Sequence, residues 1–367
     1  MDENIKIINT NTNEGKSLNI LCIGDPHYMA DNETETNMFE KQLEDIIDNN
    51  SFDFVVNLGD THHTHNKLDV GVVKRVTKFF SMLNNKCKKV YILVGNHDRP
   101  HNKIYLTDDH PYNSFKEWGT NFVIVDKVII EEHKGCKFVF SPYVETGRFT
   151  EALLTVGLQS PYEDISCIFA HQEFKGAKMN SITSNIGDIY DQRSPICISG
   201  HIHEHDQLQN NILYVGSPLQ HSFSDKDNKT LSYIRFEGPI NSNKLVITNH
   251  QRINVNIPKK IYLRLTVEQL MSYIPPENSN IKIKVIGDVN VISNMMKTDH
   301  IQKLLTQGVK IKDGGIIPKQ KTEILSTFEN GSKVKLSYQH RLYTELIKST
   351  PEMQNTFLFL FPNFNKK

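Results

Sequence analysis

The stretch Phe54-Val55-Val56-Asn57-Leu58-Gly59-Asp60-Thr61-His62-His63 decides the architecture: a short, largely apolar run ends abruptly in a glycine, a carboxylate and two imidazoles. Such a run suits a strand buried on both faces, as in a parallel sheet. Two more strands, Leu18 to Ile23 and Val90 to Val94, stop the same way, in Gly24-Asp25-Pro26-His27 and Gly95-Asn96-His97-Asp98. Amphipathic helical patterns over about Glu35 to Asn49 and Val70 to Leu83 separate the three strands, which predicts βαβ units around a buried α/β sheet. Open α/β folds bind ligands at such strand ends.

Two later strands extend the pattern. His171 directly follows Cys167-Ile168-Phe169-Ala170, and Gly200-His201-Ile202-His203 follows Ile196 to Ser199. In extended chain an H-x-H pair places both side chains on one face, where they can approach one ion or two adjacent ions. Each motif alone is weak, since D-x-H also describes a capping aspartate beside a surface histidine, and a lone His171 a satisfied core histidine. Five ligand-bearing strand ends together point to a metal site.

Carboxylate, amide and imidazole without thiolate suit divalent ions such as Mn²⁺, Fe²⁺ or Zn²⁺. Two ions about 3.5 to 4 Å apart are well served by a bridging carboxylate. Asp60, on the strand expected between its two neighbours, is the natural bridge. Two such cations bring the pKa of a shared water from about 15.7 toward about 7 for in-line attack on phosphorus. Phosphate-ester hydrolysis is the reaction expected.

The rest of the 367 residues limits the alternatives. Lys+Arg and Asp+Glu both number 42 and the pI is near 7.3, so any nucleic-acid surface is a local patch. Five scattered cysteines with no CxxC pairing argue against a disulfide framework or a thiolate zinc site. Residues 1–17 form a polar tail without the pattern of a signal peptide, and no apolar stretch reaches membrane-spanning length. The expectation is a soluble intracellular protein of cytoplasm or nucleus. Abundant Asn, Ile and Lys hint at an AT-rich, viral genome.

Residues 18–250 are expected to form one domain, with later strands at Phe122 to Val125, Lys137 to Ser141, Ile212 to Val215 and Tyr233 to Glu237. Residues 256–315 follow a βαβαβ pattern: strand Ile261 to Leu265, helix Thr266 to Tyr273, strand Ile281 to Ile286, helix Val291 to Leu305 and a strand near Val309 to Lys312. Residues 316–367 hold a linker and a helix near Ser337 to Lys348, followed by the apolar run Phe357 to Phe361. That end suits either docking to a partner or packing on the small domain.

The order D-x-H, G-D, G-N-H-D, H, G-H-x-H resembles the calcineurin-like metallophosphoesterase superfamily across most of residues 18 to 220. Within it the chain is most similar to the SbcD and meiotic recombination eleven group of double-strand-break repair nucleases, including phage and large-virus members. His63 after Asp60, the segment Tyr214-Val215-Gly216-Ser217-Pro218 and a small appended domain carry that likeness. The resemblance implies a four-layer α/β/β/α sandwich with a small C-terminal α/β capping domain. It implies that Asp25, His27, Asp60 and His203 hold one metal, and Asp60, Asn96, His171 and His201 the other. His97 would serve the leaving oxygen, Asp98 would orient the His97 ring, and His63 would help place the DNA phosphate or the leaving group. The group's metals are usually Mn²⁺. Its activities are duplex exonuclease and single-strand endonuclease on DNA, as a homodimer with an SMC-like coiled-coil ATPase.

Other residues are read more plainly. Lys175 and Lys178 could meet a phosphate backbone or belong to a solvated loop. His62 and His65 are expected to face solvent and Trp118 to be packed, while His110, His133 and His221 receive no role. A phosphatase or cyclic-nucleotide phosphodiesterase with the same centre is the enzymatic alternative, although the D-R-G signature of protein phosphatases is missing after Gly59. A catalytically silent scaffold is the other, against which every expected ligand is present.

Overall fold

The computed structural model describes residues 15–179, 182–314, 351 and 353. The polar tail before residue 15, and the linker and C-terminal helix with Phe357 to Phe361, lie outside the described residues apart from Pro351 and Met353.

The opening alternation follows the expected order: β1 (Gly15–Ile23), α1 (Glu33–Asn49), β2 (Phe54–Asn57), α2 (Val70–Lys86), β3 (Val90–Leu93) and β4 (Phe122–Val125). The second half supplies β5 (Ile129–His133), β6 (Cys136–Ser141), α3 (Phe149–Leu154) and β7 (Ile165–His171). A two-strand ribbon, β8 (Lys178–Met179) and β9 (Ile182–Thr183), precedes β10 (Ile196–Gly200), β11 (Asp206–Gln209), β12 (Ile212–Tyr214), β13 (Thr230–Pro239) and β14 (Val246–Asn254).

These strands make two six-stranded sheets, ordered β14-β13-β1-β2-β3-β4 and β11-β12-β10-β7-β6-β5. β1 to β4 run parallel, as do β6, β7, β10 and β12, so their carboxyl ends gather at one edge of each sheet. β13 and β14 join antiparallel, and β13 pairs with β1 from Gly15↔Pro239 to Cys22↔Ser232. The edge strands β5, β11 and β14 are additions to the expected set.

Alternation along the strands sorts side chains into three apolar layers. Leu21 and Ile23 face Phe39, Leu43, Phe79 and Phe80 of α1 and α2. Ile20, Cys22, Phe54, Val56 and Tyr91 meet Phe138, Phe140 and Phe169 of the other sheet. Beyond it, Val139, Ile168 and Cys197 pack with Phe149 and Leu153 of α3. Helices, two sheets and a helix stack as the α/β/β/α sandwich expected. Each fully buried Leu, Ile or Phe contributes roughly 1.5–3 kcal/mol, so every layer holds the sandwich together, the one between the two sheets included. Within it Tyr91 and Phe140 stack with centroids 3.8 Å apart. Trp118 packs at the rim of the α1–α2 layer, as expected.

The remaining chain forms β15 (Lys259–Thr266), α4 (Val267–Met271), β16 (Ser279–Ile286), α5 (Val289–Met295), α6 (Asp299–Thr306) and β17 (Lys310–Asp313). Its strands make a three-stranded sheet ordered β15-β16-β17. The single helix expected from Val291 to Leu305 is two, because the chain turns at Lys297 and Thr298. The described residues fall into two compact units, one of residues 15–263 with Tyr273–Ile283 and Lys303–Ile311, the other of Arg264–Ser272, Lys284–Gln302 and residues 312–314. In the second unit a capping box between Thr266 and Gln269 starts α4, and Leu270, Val285, Ile292, Met295 and Ile301 are buried. Among the described residues no helix is long and apolar enough to cross a membrane.

Candidate metal centre

Backbone pairing continues past the strand ends. Leu58 donates to the Ile23 carbonyl at 2.8 Å, His27 to Asp60 at 3.0 Å and Tyr28 to Thr61 at 2.8 Å. These bonds set His27 and Asp60 side by side. From the β3 side the His97 N–H donates to Asp60 Oδ1 at 2.8 Å. Asp60 Oδ2 then lies 3.3 Å from His171 Nε2 and 3.7 Å from His27 Nε2, between the two expected ion positions.

His27, Asp60 and His201 have φ of 44°, 50° and 77°. Non-glycine residues in the left-handed region are strained by about 1–2 kcal/mol each, and such strain persists only where surrounding structure imposes it. It falls here on three residues of the ligand set. The turn at His201 also corrects the expected geometry of the H-x-H pair, which does not lie in extended chain because β10 ends at Gly200. Both imidazoles still reach the site, and Ile202 between them is buried in the outer layer.

Around one position, His171 Nδ1 donates to the Leu58 carbonyl at 2.7 Å, leaving Nε2 for the site. That nitrogen is 3.0 Å from Asn96 Oδ1 and 3.3 Å from His201 Nδ1, and His201 Nδ1 is 3.0 Å from the same amide oxygen. Around the other, His27 Nε2 and His203 Nε2 approach to 3.1 Å. Asp25 Oδ1 accepts the His201 N–H at 2.8 Å, while its buried Oδ2 has no hydrogen-bond partner. Ligand atoms of Asp60, His171 and His201 all lie within 4.8 Å of one another, as do those of Asp25, His27 and Asp60. Convergent donors, an orphaned carboxylate oxygen and no thiolate fit divalent cations.

The electrostatics fit as well. Burial pushes Asp25 up to about 7, although His171 moderates the rise. Burial also disfavours charge on Asp60, but His171 and His27 outweigh it and hold the carboxyl well below its usual range. Conversely, Asp60 overcomes the burial of His171 and lifts its pKa to about 9, so the ring keeps a proton that an incoming ion would replace. Burial lowers His27, His201 and His203, the last to about 4, which favours the neutral, ligating imidazole.

The auxiliary residues depart further from expectation. His97 Nδ1 is 2.5 Å from the His63 carbonyl oxygen, so that carbonyl, and not Asp98, orients the ring. Asp98 instead accepts from the backbone of His62 at 2.9 Å and Gly95 at 2.8 Å and from the Tyr112 hydroxyl at 2.6 Å. His63 is half-buried, stacks on His97 with centroids 5.4 Å apart and has Nδ1 3.3 Å from His27 Nδ1. Its ligand atom falls within 4.8 Å of those of His27 and His97.

His62 does not face solvent: it is 2 % exposed and its Nδ1 bonds the Tyr112 hydroxyl at 2.7 Å. His65 is half-buried and stacks on His97 at 4.6 Å. An open cavity of about 240 Å³ is lined by Asp60, His97, Lys178, Met179, His201, His203 and Glu204. Lys178 is therefore at the site, whereas exposed Lys175 is not part of that lining.

Two residues escaped the sequence pattern. Glu173 Oε2 lies 3.9 Å from His201 Nε2, the nitrogen turned away from the site, beyond hydrogen-bond length but close enough for its charge to act on the ring. The adjacency of Glu173 to His171 was its only signal. His221 joins His27 and His203 in a fourth convergent group. Its signal is the Gly216-Ser217-Pro218 turn, whose Ser217 N–H donates to the His203 carbonyl at 3.1 Å and so brings the following residues to the site.

Residues 18–205 match the family described as "Calcineurin-like phosphoesterase". Over whole chains, the protein is 33% identical to "Putative phosphoesterase 078R" of Invertebrate iridescent virus 3, covering 93% of this chain and 95% of the relative. It is 37% identical to "Putative phosphoesterase 244L" of Invertebrate iridescent virus 6, covering 74% of this chain and 94% of the relative. The matched segment carries all seven ligand-type residues from Asp25 to His203, and so the chain belongs to the calcineurin-like phosphoesterase family, whose members hydrolyse phosphoesters and typically use a dinuclear metal centre.

Proposed function

We propose that the protein is a DNA nuclease of double-strand-break repair or recombination, working as a duplex exonuclease and single-strand endonuclease with two Mn²⁺ ions. The observation that carries this reading is the pair of stacked imidazoles, His63 and His97, beside Asp60 and a cavity that also presents Lys178. When bound, the ions supply Lewis acidity and an activated water for in-line displacement. Asp25, His27, Asp60 and His203 would hold one, and Asp60, Asn96, His171 and His201 the other.

The chain's own groups account for the remaining work. With Nδ1 committed to the His63 carbonyl, His97 keeps Nε2 for protonating the leaving 3′ or 5′ oxygen. His63 steadies that ring and adds a second imidazole for the phosphate. Lys178, exposed on the β8–β9 ribbon, suits a neighbouring phosphate of the same strand, a contact that positions DNA without reading its sequence. A homodimer acting with an SMC-like coiled-coil ATPase, within a viral infection of cytoplasm or nucleus, completes the proposal; the viral relatives support the origin.

The test is incubation with Mn²⁺ and three substrates in parallel: labelled linear duplex, single-stranded circular DNA and bis-nitrophenyl phosphate, each beside His97→Ala. Cleavage of DNA that the variant loses supports the nuclease. Turnover of the small diester with both DNAs intact, even after an ATPase partner is added, would favour a phosphatase or cyclic-nucleotide phosphodiesterase.

A further inference from the structure

We infer that His221 is an additional ligand to the ion held by Asp25, His27, Asp60 and His203, giving that position three imidazoles where its neighbour has two. The inference rests on the dinuclear reading above and deepens it.

The His221 ring centroid lies 4.5 Å from that of His27 and 4.7 Å from that of His203, in edge-to-face contact with both. One ligand nitrogen from each of the three lies within 4.8 Å of the others. Both His221 ring nitrogens are buried without a hydrogen-bond partner. An imidazole has one donor and one acceptor, and leaving both unpaired is unfavourable unless something else occupies one of them. A cation shared with His27 and His203 satisfies a nitrogen at the place where the other two already converge.

The backbone is fixed for this task. Asp225 accepts the N–H groups of His221 at 2.9 Å and Ser222 at 3.3 Å, and Leu219 anchors the turn in the α1–α2 layer. Lys229 donates to the His203 carbonyl at 2.7 Å, fixing the facing loop. A third imidazole makes this position richer in nitrogen, so its affinities should climb more steeply along the series from Mn²⁺ to Zn²⁺ than those of its neighbour.

The test compares full-length wild type, His221→Ala and His221→Gln after removal of metal. Mn²⁺ is titrated by calorimetry, Co²⁺ uptake is followed by its visible absorption, and thermal melting of the metal-free proteins is recorded. Wild type should take up two ions. Both variants should keep one ion at wild-type affinity and bind the other at least roughly 10-fold more weakly, since even outer partners of metal ligands are worth about 10–100-fold. Their metal-free melting should match or exceed wild type, because an unpaired buried imidazole has been removed, and Gln retains much of the volume lost in Ala. Two ions at wild-type affinity in both variants would overturn the inference, as would unchanged binding with a raised KM, which would make His221 a substrate contact. A wild-type chain that binds no ion would overturn the dinuclear reading and this inference together.

Discussion

The Tyr112 hydroxyl donates to Asp98 Oδ1 at 2.6 Å in a fully buried pair. Because the same carboxylate accepts the backbone N–H groups of His62 and Gly95, one side chain ties the loop after β2 to the loop after β3. Burial raises the Asp98 pKa, and the Tyr112 bond opposes the rise. Tyr112→Phe removes one of the three bonds to Asp98, together with the 2.7 Å bond between the hydroxyl and His62 Nδ1, and leaves both backbone bonds to Asp98. The expected cost is about 1–2 kcal/mol in urea unfolding, with small-diester turnover within a few-fold of wild type. Wild-type stability would show that Asp98 does not depend on this hydroxyl.

Gly95 makes the approach of those loops possible. A Cβ at this position would sit 2.2 Å from Asp60 Oδ1 and 2.3 Å from Asp60 N, far inside contact distance and against backbone that has nowhere to move. Gly95→Ala should therefore displace Asp60 itself. Mn²⁺ uptake should fall for both ions together, and stability should drop by roughly 1–3 kcal/mol, the usual cost of overpacking. Calorimetry showing two ions at wild-type affinity would refute this steric account.

The five strand ends were legible because each is local: an apolar run, in four of the five a glycine, then ligand-type side chains within three or four residues. The layers followed from the same alternation. What stayed hidden depends on distance along the chain. Nothing near His62 announces Tyr112, fifty positions away, so a buried hydrogen-bonded imidazole read as a surface one. The family resemblance implies that Asp98 orients its neighbour His97, whereas folding gives His97 the carbonyl of His63. His221 lies eighteen residues past His203 and returns only through the turn at Ser217. The edge strands β5 and β14 were missed because half-exposed strands mix charges into a short alternation, as in Ile129-Ile130-Glu131-Glu132-His133.

Asp60 Oδ2 lies within 3.7 Å of an imidazole nitrogen from each proposed ion position. Asp60→Asn keeps the shape and the Oδ1 contact to His97 but removes the charge that would be shared. Both ions should weaken, so Mn²⁺ stoichiometry under sub-saturating conditions should fall below one per chain, and diester turnover should drop by a factor of at least roughly 100. Loss of only one ion, with the other at wild-type affinity, would show that Asp60 serves a single position and is not a bridge. The substitution also removes the negative charge that lifts His171 to about 9, so the ring should titrate at lower pH in the metal-free variant, observable by NMR.

Acid stability depends on a carboxylate away from the centre. Asp126 Oδ2 lies 3.1 Å from His110 Nε2 and also bonds Lys116. Burial alone would raise its pKa, but the His110 and Lys116 contacts outweigh it and hold the folded value below 3.8. The unfolded chain thus binds more protons than the folded one between the two values, and stability falls as pH drops through that interval. The contribution of Asp126 is complete above about pH 5, where Asp126→Asn should cost about 1–2 kcal/mol, a modest figure because Lys116 is partly exposed to solvent. Below the ordinary carboxylate value of about 3.9 the difference between the two proteins should shrink toward zero, since protonated Asp126 is nearly an amide in charge. Urea midpoints measured from pH 3 to pH 6 give the answer, and a difference that stays constant across that range would show that Asp126 draws nothing from its charge.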